Sequence, residues 1–325
     1  MTAPVLKIHL SDSDTADALH HDVRVGLSAD PKWLPPKWFY DARGSELFEQ
    51  ITMLPEYYPT RTERELLRRS AGEIAARSAV DTLVELGSGS SEKTRLLLDA
   101  LTASGSLQRF MPLDVSQSAL RGAMAAVARE YPRLAVHGVV GDFTQHLELL
   151  PGGESGRRLV AFLGGTIGNL LPDERAEFFT ALRAALDPGE LLLLGVGLVT
   201  DPAVMVPAYN DAAGVTAEFN RNVLRVLNRE LGTYFDVAAF DHVAVWDATH
   251  EWIEMRLRAC RAMTVRLSAV DMTVHFAKGE EMRTEVSGKF RRDGVVVELH
   301  AAGFDLAHWW TDPDDRFALV LAAAT

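Results

Sequence analysis

The 325-residue sequence has one cysteine, Cys260, so no disulfide can form within the chain. It has no long apolar run. The greasiest stretch, Leu191 to Val199, is far shorter than the roughly 20 residues that span a bilayer. It lacks an excess of basic charge: 33 Lys and Arg against 45 Asp and Glu leave a formal charge of −12. Nucleic-acid binding needs clustered cations to neutralise phosphates, so this balance argues against it. Met1 to Asp12 shows no basic stretch followed by an apolar one, so no secretion signal is expected. The 10 histidines form no H-E-x-x-H pair, and one Cys cannot build a cysteine zinc cluster. Neither a G-x-S-x-G elbow nor a Walker loop occurs. The expectation is a cytoplasmic enzyme acting on a small molecule, as a monomer, with no metal, nucleic-acid or membrane partner.

What is present is a change of rhythm along the chain. Ser13 to Leu27 carries apolar residues at helical spacing, and Pro31, Pro35 and Pro36 follow it. An aromatic cluster comes next, from Trp38 to Tyr40 and on to Phe48, Tyr57 and Tyr58. The first sixty or so residues thus read as helices and loops. From Asp81 strands alternate with helices. Thr82–Leu86, Phe110–Leu113, Leu134–Val140, Leu159–Leu163 and Glu190–Leu194 read as strands, the last continuously apolar, as when helices cover both faces of a sheet. This specifies a parallel, doubly wound α/β sheet. After about Thr200 the pattern turns helical, then alternates like antiparallel strands over Trp252 to Phe276. Gly294 to Ala301 reads as a helix, and Leu306–Trp310 and Phe317–Ala322 as two strands. The sequence therefore predicts an α/β domain over about 61–199 plus 289–325. A smaller α+β domain would combine 1–60 with 200–288, and the cleft between the two is the expected ligand site.

The most informative stretch is Val84-Glu85-Leu86-Gly87-Ser88-Gly89-Ser90-Ser91-Glu92-Lys93-Thr94. A glycine loop between strand and helix lets a ligand approach the backbone, because no Cβ intervenes. A dinucleotide wants a third glycine where Glu92 stands, and a carboxylate is a poor neighbour for pyrophosphate. S-adenosylmethionine (SAM) carries no phosphate and tolerates nearby acids. Asp114 ends the second strand, where a carboxylate can accept ribose hydroxyl protons. Asp142-Phe143 follows the third, placed to accept from an adenine amino group and to offer it an apolar face. Any one of these residues alone reads equally well as a turn or helix cap. The ordered set at three successive strand ends favours a class I (Rossmann-like) methyltransferase domain over a dehydrogenase.

Longer motifs carry a family resemblance. Pro35-Pro36-Lys37-Trp38-Phe39-Tyr40-Asp41, Leu54-Pro55-Glu56-Tyr57-Tyr58-Pro59-Thr60-Arg61, Leu86-Gly87-Ser88-Gly89, Thr166-Ile167-Gly168-Asn169-Leu170, Phe219-Asn220-Arg221-Asn222 and Glu281-Met282-Arg283-Thr284-Glu285-Val286-Ser287 stand in order along nearly the whole chain. Together they resemble the L-histidine Nα-methyltransferases of ergothioneine biosynthesis. The resemblance implies a SAM-binding domain, a substrate domain, and three methyl transfers to the histidine α-amino group, giving hercynine (histidine trimethylbetaine) with S-adenosylhomocysteine as by-product. It assigns Gly87, Lys93, Asp114, Asp142 and Phe143 to the cofactor. It assigns Tyr57, Asn169, Tyr209, Glu285, Val286 and Ser287 to the substrate, with Gly164, Tyr40, Thr216 and Met255 as wall residues. Departures from the family pattern are Gly165 for Ser, Gly195-Val196-Gly197 for Gly-Thr-Asp, Asn210 for a second Asp, and Gly288 for Cys.

Methyl transfer from a sulfonium is an in-line displacement, so the α-ammonium must first lose its proton. A neighbouring sulfonium already lowers the amine pKa by like charge, so positioning and water exclusion should dominate. Asn169 and Tyr40 are the candidates for orienting the amine, and Tyr209 and Asn169 for donating to the substrate carboxylate. In an extended segment residues two apart face the same side, so Glu285 and Ser287 can address the two imidazole nitrogens together. Rival readings are a related N-methyltransferase acting on another amino acid such as tryptophan, and a SAM-binding relative without turnover.

Overall fold

The computed structural model describes residues 4–89, 91–150 and 156–325, so Ser90 of the glycine loop lies outside the described residues. In chain order the strands are β1 (Val5–Ile8), β2 (Thr82–Leu86), β3 (Arg109–Asp114), β4 (Ala135–Val140), β5 (Arg158–Phe162), β6 (Leu191–Gly197), β7 (Phe240–Asp247), β8 (Trp252–Ala259), β9 (Met263–Leu267), β10 (Met272–Phe276), β11 (Glu281–Gly288), β12 (Phe304–Thr311) and β13 (Phe317–Ala324). The helices are α1 (Asp12–Ser28), α2 (Ala42–Met53), α3 (Tyr58–Ser78), α4 (Thr94–Ala103), α5 (Gln117–Glu130), α6 (Pro172–Ala184), α7 (Pro202–Met205), α8 (Val215–Leu231) and α9 (Arg292–Ala301). The chain divides into two compact units. The first comprises Met1–Ser11, Thr62–Val199 and Phe290–Thr325; the second comprises Asp12–Arg61 and Thr200–Lys289.

The first unit is built on one sheet with strand order β1-β4-β3-β2-β5-β6-β13-β12. Strands β1 to β6 are parallel to their neighbours, and β13 runs antiparallel between β6 and β12. Its central strands are buried on both faces. Val84, Val160, Phe162, Leu192 and Leu194 pack on one side with Phe178 and Leu182 of α6 and Leu299 of α9. Their chain neighbours Leu83, Leu159, Ala161, Leu191 and Leu193 pack on the other with Leu67 and Ile74 of α3, Leu97 of α4 and Val127 of α5. That period of two, apolar on both phases, is why these strands read as continuous apolar runs.

One boundary differs from the sequence expectation. The segment before α1 holds a strand, Val5–Ile8, that pairs in parallel with β4, from Val5 opposite His137 to Ile8 opposite Val140. Residues 1–11 therefore belong to the first unit rather than with 12–60. An edge strand of four residues, mostly exposed, carries too little alternation to announce itself.

The second unit is α+β. It has a three-stranded antiparallel sheet, β11-β8-β7, and the hairpin β9–β10. Its core gathers the apolar stripe of α8 (Phe219, Val223, Leu227) with Leu19, Val23 and Leu27 of α1, Leu47 and Ile51 of α2, and Ile253, Met255 and Leu257 of β8. The stripe lies on one helical face because residues four apart are neighbours there.

Candidate active site

In the first unit the glycine loop follows β2 with Gly87 at φ +64° and Gly89 at φ +49°, a left-handed region that favours glycine. Among the described residues, a Cβ on Gly87 would meet only the Phe143 ring, at 3.9 Å, and one on Gly89 would meet nothing within 4 Å. The backbone is thus open to a ligand. Asp114, at the end of β3, closes the loop: one carboxylate oxygen accepts from Gly89 N at 2.8 Å and the other from Ser116 N at 2.8 Å. Each oxygen keeps lone-pair capacity for a hydroxyl donor. Burial pushes the Asp114 carboxyl above its ordinary value, against the pull of its backbone hydrogen bonds.

Beneath the loop, Glu85 is fully enclosed, and its carboxyl is raised to about 7 by burial. The hydroxyls of Thr94 and Ser91 donate to it. Ser88 Oγ is buried with no hydrogen-bond partner among the described residues, an orphaned polar atom in the loop. Asp142 lies after β4 and accepts from Thr144 N at 2.8 Å and Thr144 Oγ at 2.7 Å through the same oxygen. The Phe143 ring is anchored 4.9 Å from Phe162. Open glycines, an orphaned hydroxyl, carboxylates at the ends of β3 and β4 and an aromatic face suit a nucleoside with a short polar tail. The residues therefore fit SAM. The resemblance also gives Lys93 to the cofactor. Its ammonium pairs with Glu63, which is fully buried and accepts from Gly164 N at 2.6 Å. Glu63 has no sequence signal of its own, being one acid among many on α3. Gly164 and Gly165 take positive φ, and the turn Thr166–Asn169 follows them.

The second unit contains a pocket of about 280 Å³ including its open mouth. Tyr40, Phe48, Ile51, Tyr57, Ala208, Tyr209, Thr216, Phe219, Met255 and Glu285 line it. The rings pack edge to face: Tyr40 lies 5.6 Å from Phe48 and 5.4 Å from Phe219, and Tyr57 lies 6.2 Å from Tyr209. Tyr40, Tyr57, Tyr209, Thr216, Met255 and Glu285, six of the residues named from sequence, thus meet on one wall system. Phe48, noted from sequence only as part of the aromatic cluster, joins them, as do Ile51 and Ala208, which were not singled out because apolar lining looks like core.

Val286 and Ser287 do not line this pocket. Val286 follows Glu285 on an extended strand, so its side chain takes the opposite face. The Ser287 hydroxyl is held 2.6 Å from that of Tyr209, and Lys289 Nζ donates to both, at 2.9 Å to Tyr209 and 2.7 Å to Ser287. Burial, then the nearby Glu285, pushes the Tyr209 hydroxyl above its ordinary range, so it keeps its proton. His242 supports the same tyrosine. The Asn220 amide donates to its Nδ1 at 2.8 Å, leaving Nε2–H to donate to Tyr209 O at 2.8 Å. Burial lowers the His242 pKa, consistent with that neutral tautomer. Asn222 ties Phe39 O and Asp41, which flank Tyr40, to α8. Asp211 accepts from Val215 N and Thr216 N at the start of α8 and fixes Thr216. The Phe219-Asn220-Arg221-Asn222 motif therefore acts by holding pocket residues.

A sheet with one antiparallel strand inserted before its last, and an acid at the end of β3 closing the glycine loop after β2, defines a class I SAM-dependent methyltransferase. A family model described as histidine-specific methyltransferase, SAM-dependent, matches residues 19–324. The chain belongs to this family. It is 58% identical to a histidine N-alpha-methyltransferase of Mycolicibacterium smegmatis over 97% of each chain. It is 56% identical to one from Mycobacterium tuberculosis, over 97% of this chain and 98% of that one. It is also 33% identical to ergothioneine biosynthesis protein 1 of Neurospora crassa, over 70% of this chain and 27% of the fungal one.

Proposed function

We propose that this chain methylates the α-amino nitrogen of L-histidine three times, giving hercynine, the first step of ergothioneine biosynthesis. Family membership supports the reaction class. The observation that carries the substrate is the aromatic pocket of the second unit, with one carboxylate, Glu285, on its wall and the protonated Tyr209 hydroxyl beside it.

SAM, held at the glycine loop by Asp114, Asp142 and Phe143, supplies a methyl group on a sulfonium. Everything else falls to the protein. Glu285 accepts from an imidazole N–H, and Tyr209 donates to the substrate carboxylate. Tyr40 and Asn169 orient the amine. Successive methylation strips the nitrogen of donors, so retention of the intermediates rests on the carboxylate and ring contacts. The permanent cation of the product suits walls made of Tyr40, Phe48, Tyr57 and Phe219, whose ring faces attract positive charge. A ring lacking an N–H leaves Glu285 unpaired, which disfavours it.

The test is a panel of the common amino acids with SAM, scored by mass. Histidine should be methylated in clear preference to all others. Preference for tryptophan would move the chain to the rival substrate reading, and SAM binding without product on any amino acid to a non-catalytic role.

A further inference from the structure

We propose that Lys289 is a positioning residue for carboxylate recognition, acting through Tyr209. The inference rests on the histidine reading above and names a residue that neither the motifs nor the family resemblance assigns.

Lys289 follows β11 directly and continues the two-residue spacing Glu285, Ser287, Lys289, so its side chain shares their face. It is 7% exposed, unusual for lysine. Its Nζ sits 4.8 Å from the centre of the Tyr209 ring and donates to both the Tyr209 and Ser287 hydroxyls. An ammonium offers three donors and no acceptor, so both hydroxyl oxygens must accept from it. The contact between the two hydroxyls consumes one of their two protons. One O–H is left to donate outward; with Ser287 donating across the pair it is that of Tyr209, the member of the cluster on the pocket wall.

Charge points the same way. Among the described residues, the pocket lining contains one carboxylate, Glu285, and no cation. A carboxylate ligand would bring a second negative charge beside Glu285, and Lys289, behind Tyr209, sets a positive charge against it. Burial lowers the Lys289 pKa, while Glu285 and Tyr58, the titratable groups facing it besides Tyr209, oppose that shift.

The experiment compares Lys289→Met with wild type on two ligands, histidine and its carboxamide, which keeps the ring and amine but loses the anion. The expected result is a rise of about tenfold or more in the histidine KM, with the histidinamide KM, the kcat and the SAM Kd each within about twofold. The preference for histidine over histidinamide then collapses. A merely structural lysine would weaken both ligands alike, and that result, or an unchanged histidine KM, overturns the assignment. Should the Met variant not fold, Lys289→Gln keeps two N–H donors without charge and should lose part of the preference; full retention overturns the assignment equally. Wild-type protein that methylates no histidine would overturn the functional reading and this inference together. Equal losses in a background of active wild type overturn only the role of Lys289.

Discussion

The Asp114 carboxylate accepts the backbone N–H of Gly89 at 2.8 Å, so the acid that ends β3 closes the glycine loop that follows β2. The same group is proposed to meet the ribose of the cofactor. Asp114→Ala should therefore weaken SAM binding by about 2–3 kcal/mol, as for loss of hydrogen bonds to a charged group. Calorimetry of SAM binding measures the effect; the histidine KM at saturating SAM should stay within about twofold.

Glu285→Ala should show the reverse split. Loss of a carboxylate proposed to pair a ring N–H should raise the histidine KM by about ten- to a hundredfold. The SAM Kd should be nearly unchanged. Steady-state kinetics with each ligand varied in turn decides it, and a shared loss for one ligand from both variants would contradict the division of roles.

Much of this was legible in the residues. The strands of the doubly wound sheet could be read because each is a short apolar run bounded by turn residues, and α8 because Phe219, Val223 and Leu227 fall four apart. The edge strand β1 was not legible, being four residues with one face in solvent. Strand β7 was hidden too: Phe240 to Asp247 is only partly buried and mixes Asp, His and Trp on its two faces. Of the residues that line the pocket, Tyr57 and Glu285 drew notice through their motifs and Tyr209 through the family resemblance. Glu63, Lys289 and His242 did not, because a buried charged or polar side chain looks like a surface one until its partners are known.

Lys93 pairs with the buried Glu63, and that pairing has a stability consequence. Lys93→Met should destabilise the first unit by about 2–4 kcal/mol, because it leaves a carboxylate buried without its cation. Adding Glu63→Gln should recover part of the loss, since the orphaned charge disappears. Urea unfolding midpoints of the two single variants and the double variant measure the coupling.

Glu85 sets a pH dependence. Its carboxyl is raised by burial to about 7 in the folded protein, against roughly 4.3 in an unfolded chain. Between those values the folded state binds more protons than the unfolded one, so this group's contribution to stability falls as pH rises from about 4.3 through 7. Glu85→Gln removes the titration. Thermal melts without SAM should show the wild-type Tm declining between pH 5 and 8 (a range of roughly those two pKa values) more steeply than that of the variant. Parallel profiles would contradict the assignment.

The most direct measurement is the mass and fragmentation of the product formed from histidine and SAM. The expected result is a gain of about 42 mass units, three methyl groups replacing hydrogens, all on the α-nitrogen with the imidazole unmodified. Methyl groups on the ring, or no product from histidine while another amino acid is methylated, would contradict it.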